Sequence, residues 1–250
     1  MHCLRSLLFN IYFYSITILC LLTYGIASYF TTTIAMPGLR HWARATLWGL
    51  RNITNVTVEV RGAELIPKGG ALVASKHQST LETILIYGIF QNPAAILKEE
   101  LTKLPFAGAM VKGAGHIPID RKAGAKSRDK IISMARQRIS ENRQVVIFPE
   151  GTRSEINSTP SYKRGIMHIY KKLDMPCLPI ALNTGMFWPR RGFFIQPGNA
   201  ILEFLPPIEA GLQGDVFMTE LTTRIEGATA RLVHEAAAEQ TARRRGTYQG

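Results

Sequence analysis

Acid is scarce in this chain relative to base: 18 Asp and Glu stand against 30 Lys and Arg in 250 residues, a formal net charge of +12. That imbalance disfavours a cationic partner and points to an anionic one. Nucleic acid, an anionic membrane, a phosphorylated substrate and an acidic carrier protein all qualify. Cysteine is nearly absent as well. Cys3, Cys20 and Cys177 are far apart and no Cys-x-x-Cys occurs, which argues against a zinc site or a disulfide framework and suits a reducing compartment. No internal repeat and no long low-complexity tract interrupts the chain. No helix-turn-helix, RRM or zinc pattern is present, so nucleic acid drops out of the list of partners. Apolar residues make up 46%, enough for one medium domain with a real core plus an additional segment.

Charge is also missing from one long stretch. Nothing ionised lies between Arg5 and Arg40, and residues 7–30 are almost wholly apolar or aromatic. About 20 such residues suffice to cross a bilayer as a helix, and the run exceeds the 7–15 residues or so of a signal-peptide core. A signal peptide ending near Ala27 and a buried core helix are the weaker alternatives. Pro37-Gly38 is expected to break the chain. Residues 40–51 then mix Arg40, His41, Arg44 and Arg51 with Trp42, Leu47, Trp48 and Leu50, as a helix at an anionic membrane surface would, or one packed on the body. The excess of Lys and Arg beyond the segment puts the body on the cytoplasmic side. Asn52, Asn55 and Asn157 each begin an Asn-x-Thr triplet, which matters only in a secretory lumen.

From residue 56 onward short apolar runs alternate with helical stretches. Strands are expected at 56–60, 71–75, 94–97, 116–119, 145–149, 178–183 and 201–204. Helices are expected at 80–90, 125–141, 165–173 and 216–239. Such alternation implies an α/β fold: a mixed, largely parallel sheet flanked by helices, behind an N-terminal membrane-anchoring helical segment. Residues 1–52 are expected to form the anchor and interfacial helix, and 53–250 the folded domain.

Two stretches carry chemistry. In Ser75-Lys-His77-Gln-Ser-Thr-Leu-Glu82-Thr83, a histidine follows a strand end, a position that opens on a cleft in such folds. On one continuous helix His77 and Glu82 would diverge by about 140°. They meet if His77 precedes the helix and Glu82 sits in its first turn, and Ser79-Thr-Leu-Glu82 is a capping-box pattern that starts a helix there. A carboxylate on one imidazole nitrogen leaves the other free as a base, which an alcohol needs as it attacks an acyl carbonyl. Otherwise Glu82 is a cap and His77 a hydrogen-bonded loop residue.

The second stretch, Val145-Val-Ile-Phe148-Pro-Glu150-Gly151-Thr152-Arg153-Ser154, runs a buried strand into a glycine turn. There, backbone amides can face an anion, and Arg153 offers a planar fork for phosphate. Glu150 is placed either to hold that arginine or to bind a substrate hydroxyl. The alternative is an ordinary turn with a surface ion pair.

Together these segments resemble the glycerolipid acyltransferase family, in its bacterial branch. The family's first block is His, four residues, Asp; here it reads His77-Gln-Ser-Thr-Leu-Glu82, with Glu in place of Asp. Lys98-Glu-Glu-Leu-Thr-Lys-Leu-Pro-Phe-Ala-Gly108 is similar to the segment that follows. Ile117-Pro-Ile-Asp-Arg121, Phe148-Pro-Glu-Gly-Thr-Arg-Ser154 and Leu178-Pro-Ile-Ala-Leu182 resemble the second, third and fourth blocks.

The resemblance spans roughly residues 55–210. It implies transfer of a fatty acyl group from acyl-CoA or acyl carrier protein to the sn-2 hydroxyl of 1-acyl-glycerol-3-phosphate (lysophosphatidic acid), forming phosphatidic acid at a bacterial inner membrane without a metal or cofactor. It implies His77 and Glu82 as catalytic residues and Lys98, Arg121, Glu150, Gly151, Thr152 and Arg153 as acceptor-binding residues. The alternatives are another lyso-lipid acceptor, such as a lyso-ornithine lipid, or a non-catalytic binder of membrane lipid or acyl carrier.

Overall fold

The computed structural model of the chain describes residues 2–120, 124–159 and 161–247. The first helix, α1 (His2–Cys20), continues through a π turn at Leu21–Gly25. Among the described residues, His2–Gly25 is the one helix long and apolar enough to cross a membrane, and most of it is not buried by the rest of the chain. This helix is consistent with membrane association. After a turn the chain doubles back as α2 (Ala35–Thr54).

The expected break at Pro37-Gly38 does not occur. Both residues lie in the first turn of α2, where a missing N–H costs no helical hydrogen bond. Gly38 is there because Tyr24 of the partner helix presses on it: a Cβ at this position would stand 2.6 Å from the Tyr24 side chain. The pair is further joined by hydrogen bonds from Tyr12 Oη to the Ala45 carbonyl (2.9 Å), from Trp42 Nε1 to Thr17 Oγ1 (2.9 Å), and between Tyr24 Oη and His41 Nδ1 (2.6 Å).

The hairpin is tied to the body near both ends of α1. Ser6 Oγ accepts from the Ile195 amide and Phe9 packs edge-on against Trp188. Just past the other end, the Tyr29 hydroxyl accepts from the Phe106 amide.

The body is one sheet flanked by helices, as the alternation predicts. Among the described residues its strands are β1 (Val56–Arg61), β2 (Ala71–Ser75), β3 (Ala94–Lys98), β4 (Ile117–Ile119), β5 (Gln144–Ile147), β6 (Cys177–Leu182) and β7 (Gly198–Phe204), in the order β1-β7-β6-β2-β5-β3-β4. Every neighbouring pair is parallel except β6 with β7. Central β2 is buried along its whole length, which its run Ala-Leu-Val-Ala-Ser anticipates for a strand covered on both faces. The helices α3 (Leu81–Ile89), α4 (Ala107–Gly113), α5 (Gly124–Ser140), α6 (Gly165–Leu173) and α7 (Gly214–Thr247) complete the chain.

Two apolar cores form, one on each face of the sheet. The first gathers Phe9 and Leu50 of the hairpin with α3, and the second gathers α5, α6 and α7. The sequence expectation lacks α4 and the short turns, among them the 3-10 turn Glu99–Lys103, all too short for a periodic signal.

Candidate active site

β2, β3 and β5 run parallel and end on the same edge of the sheet, so the residues just after them converge. His77 follows β2, Lys98 ends β3, and the Phe148–Ser154 loop follows β5. They border a cavity of about 510 Å³ whose lining includes His77, Lys98, Phe148, Gly151, Thr152, Arg153 and Arg190. Leu39 and Trp42 of α2, Ile86 and Tyr87 of α3, and Ile96, Leu101 and Val111 give the same lining a large apolar share.

The His–Glu pairing forms. His77 Nδ1 lies 2.8 Å from Glu82 Oε1, and that oxygen also accepts from the Gln78 and Ser79 amides at 2.7 Å each. Backbone amides only donate, so this oxygen is an acceptor and the imidazole must donate from Nδ1, leaving Nε2 as the basic nitrogen. The Ser79 contact is the reciprocal half of a capping box, and Ser79 Oγ in turn accepts from the Leu81 amide. Capping and holding the histidine are thus one role of one carboxylate. Glu82 is fully buried, and its second oxygen accepts from Thr184 Oγ1 at 2.7 Å. A glutamate therefore satisfies the site where the resembling family has aspartate. The imidazole stacks on Phe148, with ring centroids 4.2 Å apart.

The third-block loop is stapled to the histidine. The His77 amide donates to Glu150 Oε1 (2.8 Å), and the His77 carbonyl accepts from both the amide (2.8 Å) and the hydroxyl (3.1 Å) of Ser154. His77 and Arg153 are thereby fixed in one frame, on one cleft.

Burial holds the Arg153 guanidinium below its ordinary value; Glu82 opposes that shift and neighbouring Arg190 adds to it. Among the described residues, neither Arg153 nor Lys98 has a carboxylate within ion-pair distance. An anion in the cleft would meet cations that are not already neutralised.

Two acceptor-site expectations are placed differently. Glu150 is buried and directed away from the cleft. Its oxygens are occupied by the His77 amide and by Lys76 Nζ at 3.1 Å, so it neither holds Arg153 nor reaches a substrate. Gly151 lines the cleft with φ 70°, a conformation glycine adopts freely, but its amide donates to the Phe148 carbonyl inside the turn and does not face an anion. Thr152 borders the cleft and its hydroxyl accepts from Arg190 at 3.1 Å. Arg121 lies outside the described residues.

Comparison with known proteins places this geometry. A family model described as Acyltransferase matches residues 57–183. The chain belongs to the acyltransferase family. The 1-acyl-sn-glycerol-3-phosphate acyltransferase of Pseudomonas aeruginosa is 32% identical over 188 residues, covering 75% of this chain and 73% of that one. The alpha form of the enzyme of the same name from Mus musculus is 30% identical over 177 residues, covering 69% of this chain and 62% of that one. The crystal structure of the 1-acyl-sn-glycerophosphate (LPA) acyltransferase PlsC from Thermotoga maritima superposes with a TM-score of 0.73. It covers 93% of this chain and 99% of that chain at 22% identity, a likeness of fold.

Within this acyltransferase, sequence reasoning missed Thr184 and Arg190. Both come from the segment after β6, more than 100 positions beyond His77, and reach the site only through the β2–β6 pairing. The run Trp188-Pro-Arg190-Arg191 offered a signal, two cations beyond a strand end, but nothing local tied it to this cleft.

Proposed function

We propose that this acyltransferase moves a fatty acyl group from a thioester to the sn-2 hydroxyl of 1-acyl-glycerol-3-phosphate, forming phosphatidic acid. The observation that carries the reading is that the free nitrogen of a carboxylate-held histidine and un-neutralised cations line one cleft whose lining also has a large apolar share. The Pseudomonas aeruginosa and Mus musculus relatives, both 1-acyl-sn-glycerol-3-phosphate acyltransferases, support it.

Arg153, Lys98 and Arg190 hold the acceptor's phosphate, which brings its hydroxyl to His77. As the hydroxyl oxygen attacks the thioester carbonyl carbon, His77 Nε2 takes its proton. A C–O bond forms and the C–S bond breaks. The proton passes to the departing sulfur, so the thiol leaves neutral. Glu82 steadies the imidazolium between these steps. The apolar lining of the cleft receives acyl chain, and no metal or resident cofactor takes part. Acyl-CoA and acyl carrier protein are both admissible donors.

The chain works at the bacterial inner membrane with its body on the cytoplasmic side. The 24-residue anchor helix would be about 36 Å long. Its attachment to the body near both ends supports a hairpin lying along the membrane face, with Leu39 and Trp42 opening the cleft to lipid.

The test is acyl transfer by purified full-length protein, with both donors, onto lysophosphatidic acid and onto phosphate-free lyso-lipids. His77→Ala should remain folded and lose at least about 10²-fold in turnover. Near-normal turnover in that variant rejects the role of His77. A preference for a phosphate-free acceptor rejects the role of the cations. Vesicle binding without turnover on any acceptor would leave a lipid-binding protein.

A further inference from the structure

Directly before His77 stands a charged side chain the mechanism does not use. Lys76 is 2% exposed and its ammonium lies between two carboxylates: Glu150 Oε2 at 3.1 Å and Glu226 Oε1 at 2.8 Å. Glu226 belongs to α7, 150 residues away, and the same oxygen accepts from the Tyr162 hydroxyl at 2.9 Å. The free oxygen of Glu150 accepts the His77 amide. A continuous polar chain thus runs from the C-terminal helix through Glu226, Lys76 and Glu150 to the backbone of His77. None of these four side chains lines the cleft.

A buried ammonium is retained only where it is paired, and a pair that hydrophobic residues could replace is weak evidence of stabilisation by itself. What this group does do is fix direction. Glu150 cannot turn toward the cleft while Lys76 holds its second oxygen. The His77 amide cannot shift while Glu150 accepts from it. Tyr162, whose ionisation is strongly disfavoured by burial and then by Glu226, remains a donor that holds Glu226 in place.

We propose that Lys76 and Glu226 are positioning residues. Through Glu150 they hold the His77 peptide, and so the imidazole, at the acceptor hydroxyl, coupling α7 to the chemistry. The inference rests on the reading of His77 as the base.

A displaced base acts on the transition state and not on substrate binding, so the loss should appear in kcat. Lys76→Met alone leaves buried Glu150 and half-buried Glu226 facing each other without the ammonium and is expected to fold poorly. The informative variant is Lys76→Met with Glu226→Gln. It keeps the summed charge of the group at −1, since Glu150 alone then carries charge, yet frees Glu150. In full-length protein assayed with acyl-CoA and lysophosphatidic acid, kcat should fall by roughly 10²-fold, the scale of a misplacement of about 1 Å. The unfolding midpoint should fall, since Glu150 stays buried without its ammonium, so kcat is taken per folded molecule; KM for each substrate should stay within about twofold.

A folded double variant with kcat within about threefold of the unaltered protein overturns the proposal. So does a loss that follows the folded fraction or a rise in KM. If His77→Ala is inactive while the double variant is unimpaired, only the positioning role is lost. An active His77→Ala removes the reading beneath it.

Discussion

The two edges of the sheet use the same residue types for opposite ends. At the edge where the strands begin, Arg143 immediately precedes β5 and is buried. Its guanidinium donates to the Asn92 (3.1 Å), Pro93 (2.9 Å) and Ala114 (2.6 Å) carbonyls. His116 precedes β4 at the same edge, accepting the Ala95 amide at Nδ1 and facing the Tyr87 hydroxyl at Nε2, 3.1 Å in each case. At the other edge, Arg153 follows β5 and borders the cleft, and His77 follows β2 with one nitrogen left over. Burial lowers the basicity of both arginines. What separates them is saturation: the fold takes up both nitrogens of His116 and the Nε and Nη2 donors of Arg143, whereas one nitrogen of His77 and the guanidinium of Arg153 are left to the cleft. Residue type and burial do not mark function here; an unfilled donor or acceptor at a cavity does.

Exchanging the treatment of the two arginines should break the symmetry most visibly. Arg143→Ala strips donors from three carbonyls at the sheet edge and should cost about 3 kcal/mol of stability. Turnover per folded molecule should be unchanged. Arg153→Ala should leave the denaturation midpoint nearly alone and lower kcat/KM for lysophosphatidic acid roughly 10- to 100-fold, the loss of a charge-assisted contact. Chemical denaturation and steady-state kinetics on both variants decide the matter. If either variant shows the other's pattern, the contrast between the edges is wrong.

The histidines sharpen the same contrast through pH. Burial, and then the positive charges of Arg143 and Arg138, push His116 down to about 3. In the unfolded chain a histidine titrates near 6.5. Between those values the unfolded state binds the extra proton, so this residue's contribution to stability is complete above about 6.5 and is lost as pH falls toward 3. The loss by pH 5 should be about 2 kcal/mol. In His116→Asn, where an amide oxygen stands in for Nδ1 and nothing titrates, the dependence of stability on pH over this range should flatten. Equal slopes in the two proteins would show that His116 is not the group responsible.

How far the chain could be read in advance follows from the range of its contacts. The strand alternation and the start of α3 were legible, because short apolar runs and the Ser79–Glu82 box are local. The meeting of His77 with Glu82 was legible for the same reason: five positions and one helix start determine it. The direction of Glu150 was not. It is set by Lys76, 74 positions before it, and by Glu226, 150 positions after Lys76, and no spacing rule connects the three. The N-terminal apolar helix was legible from its lack of charge, but Pro37-Gly38 was misread as a break, because what fits a glycine to Tyr24 is the facing helix and not its neighbours in sequence.

The smallest expected effect lies in the hold on His77. Thr184 Oγ1 donates at 2.7 Å to the Glu82 oxygen that does not touch His77. Thr184→Val keeps the shape and removes the donor, leaving that oxygen of a fully buried carboxylate without a partner. Glu82 is then free to rotate, and the imidazole it holds loses orientation without losing its partner. A net hydrogen bond of about 1 kcal/mol corresponds to a fall in kcat of about fivefold. KM should be nearly constant, and Thr184→Ser should recover most of the loss by restoring the hydroxyl. The comparison this refines is between the two oxygens of one side chain. Oε1 takes three donors and fixes where the histidine sits, while Oε2 takes one and fixes how firmly. A Thr184→Val protein with unchanged kcat would mean that the three donors on Oε1 suffice, and that the segment after β6 contributes to the cleft through Arg190 alone.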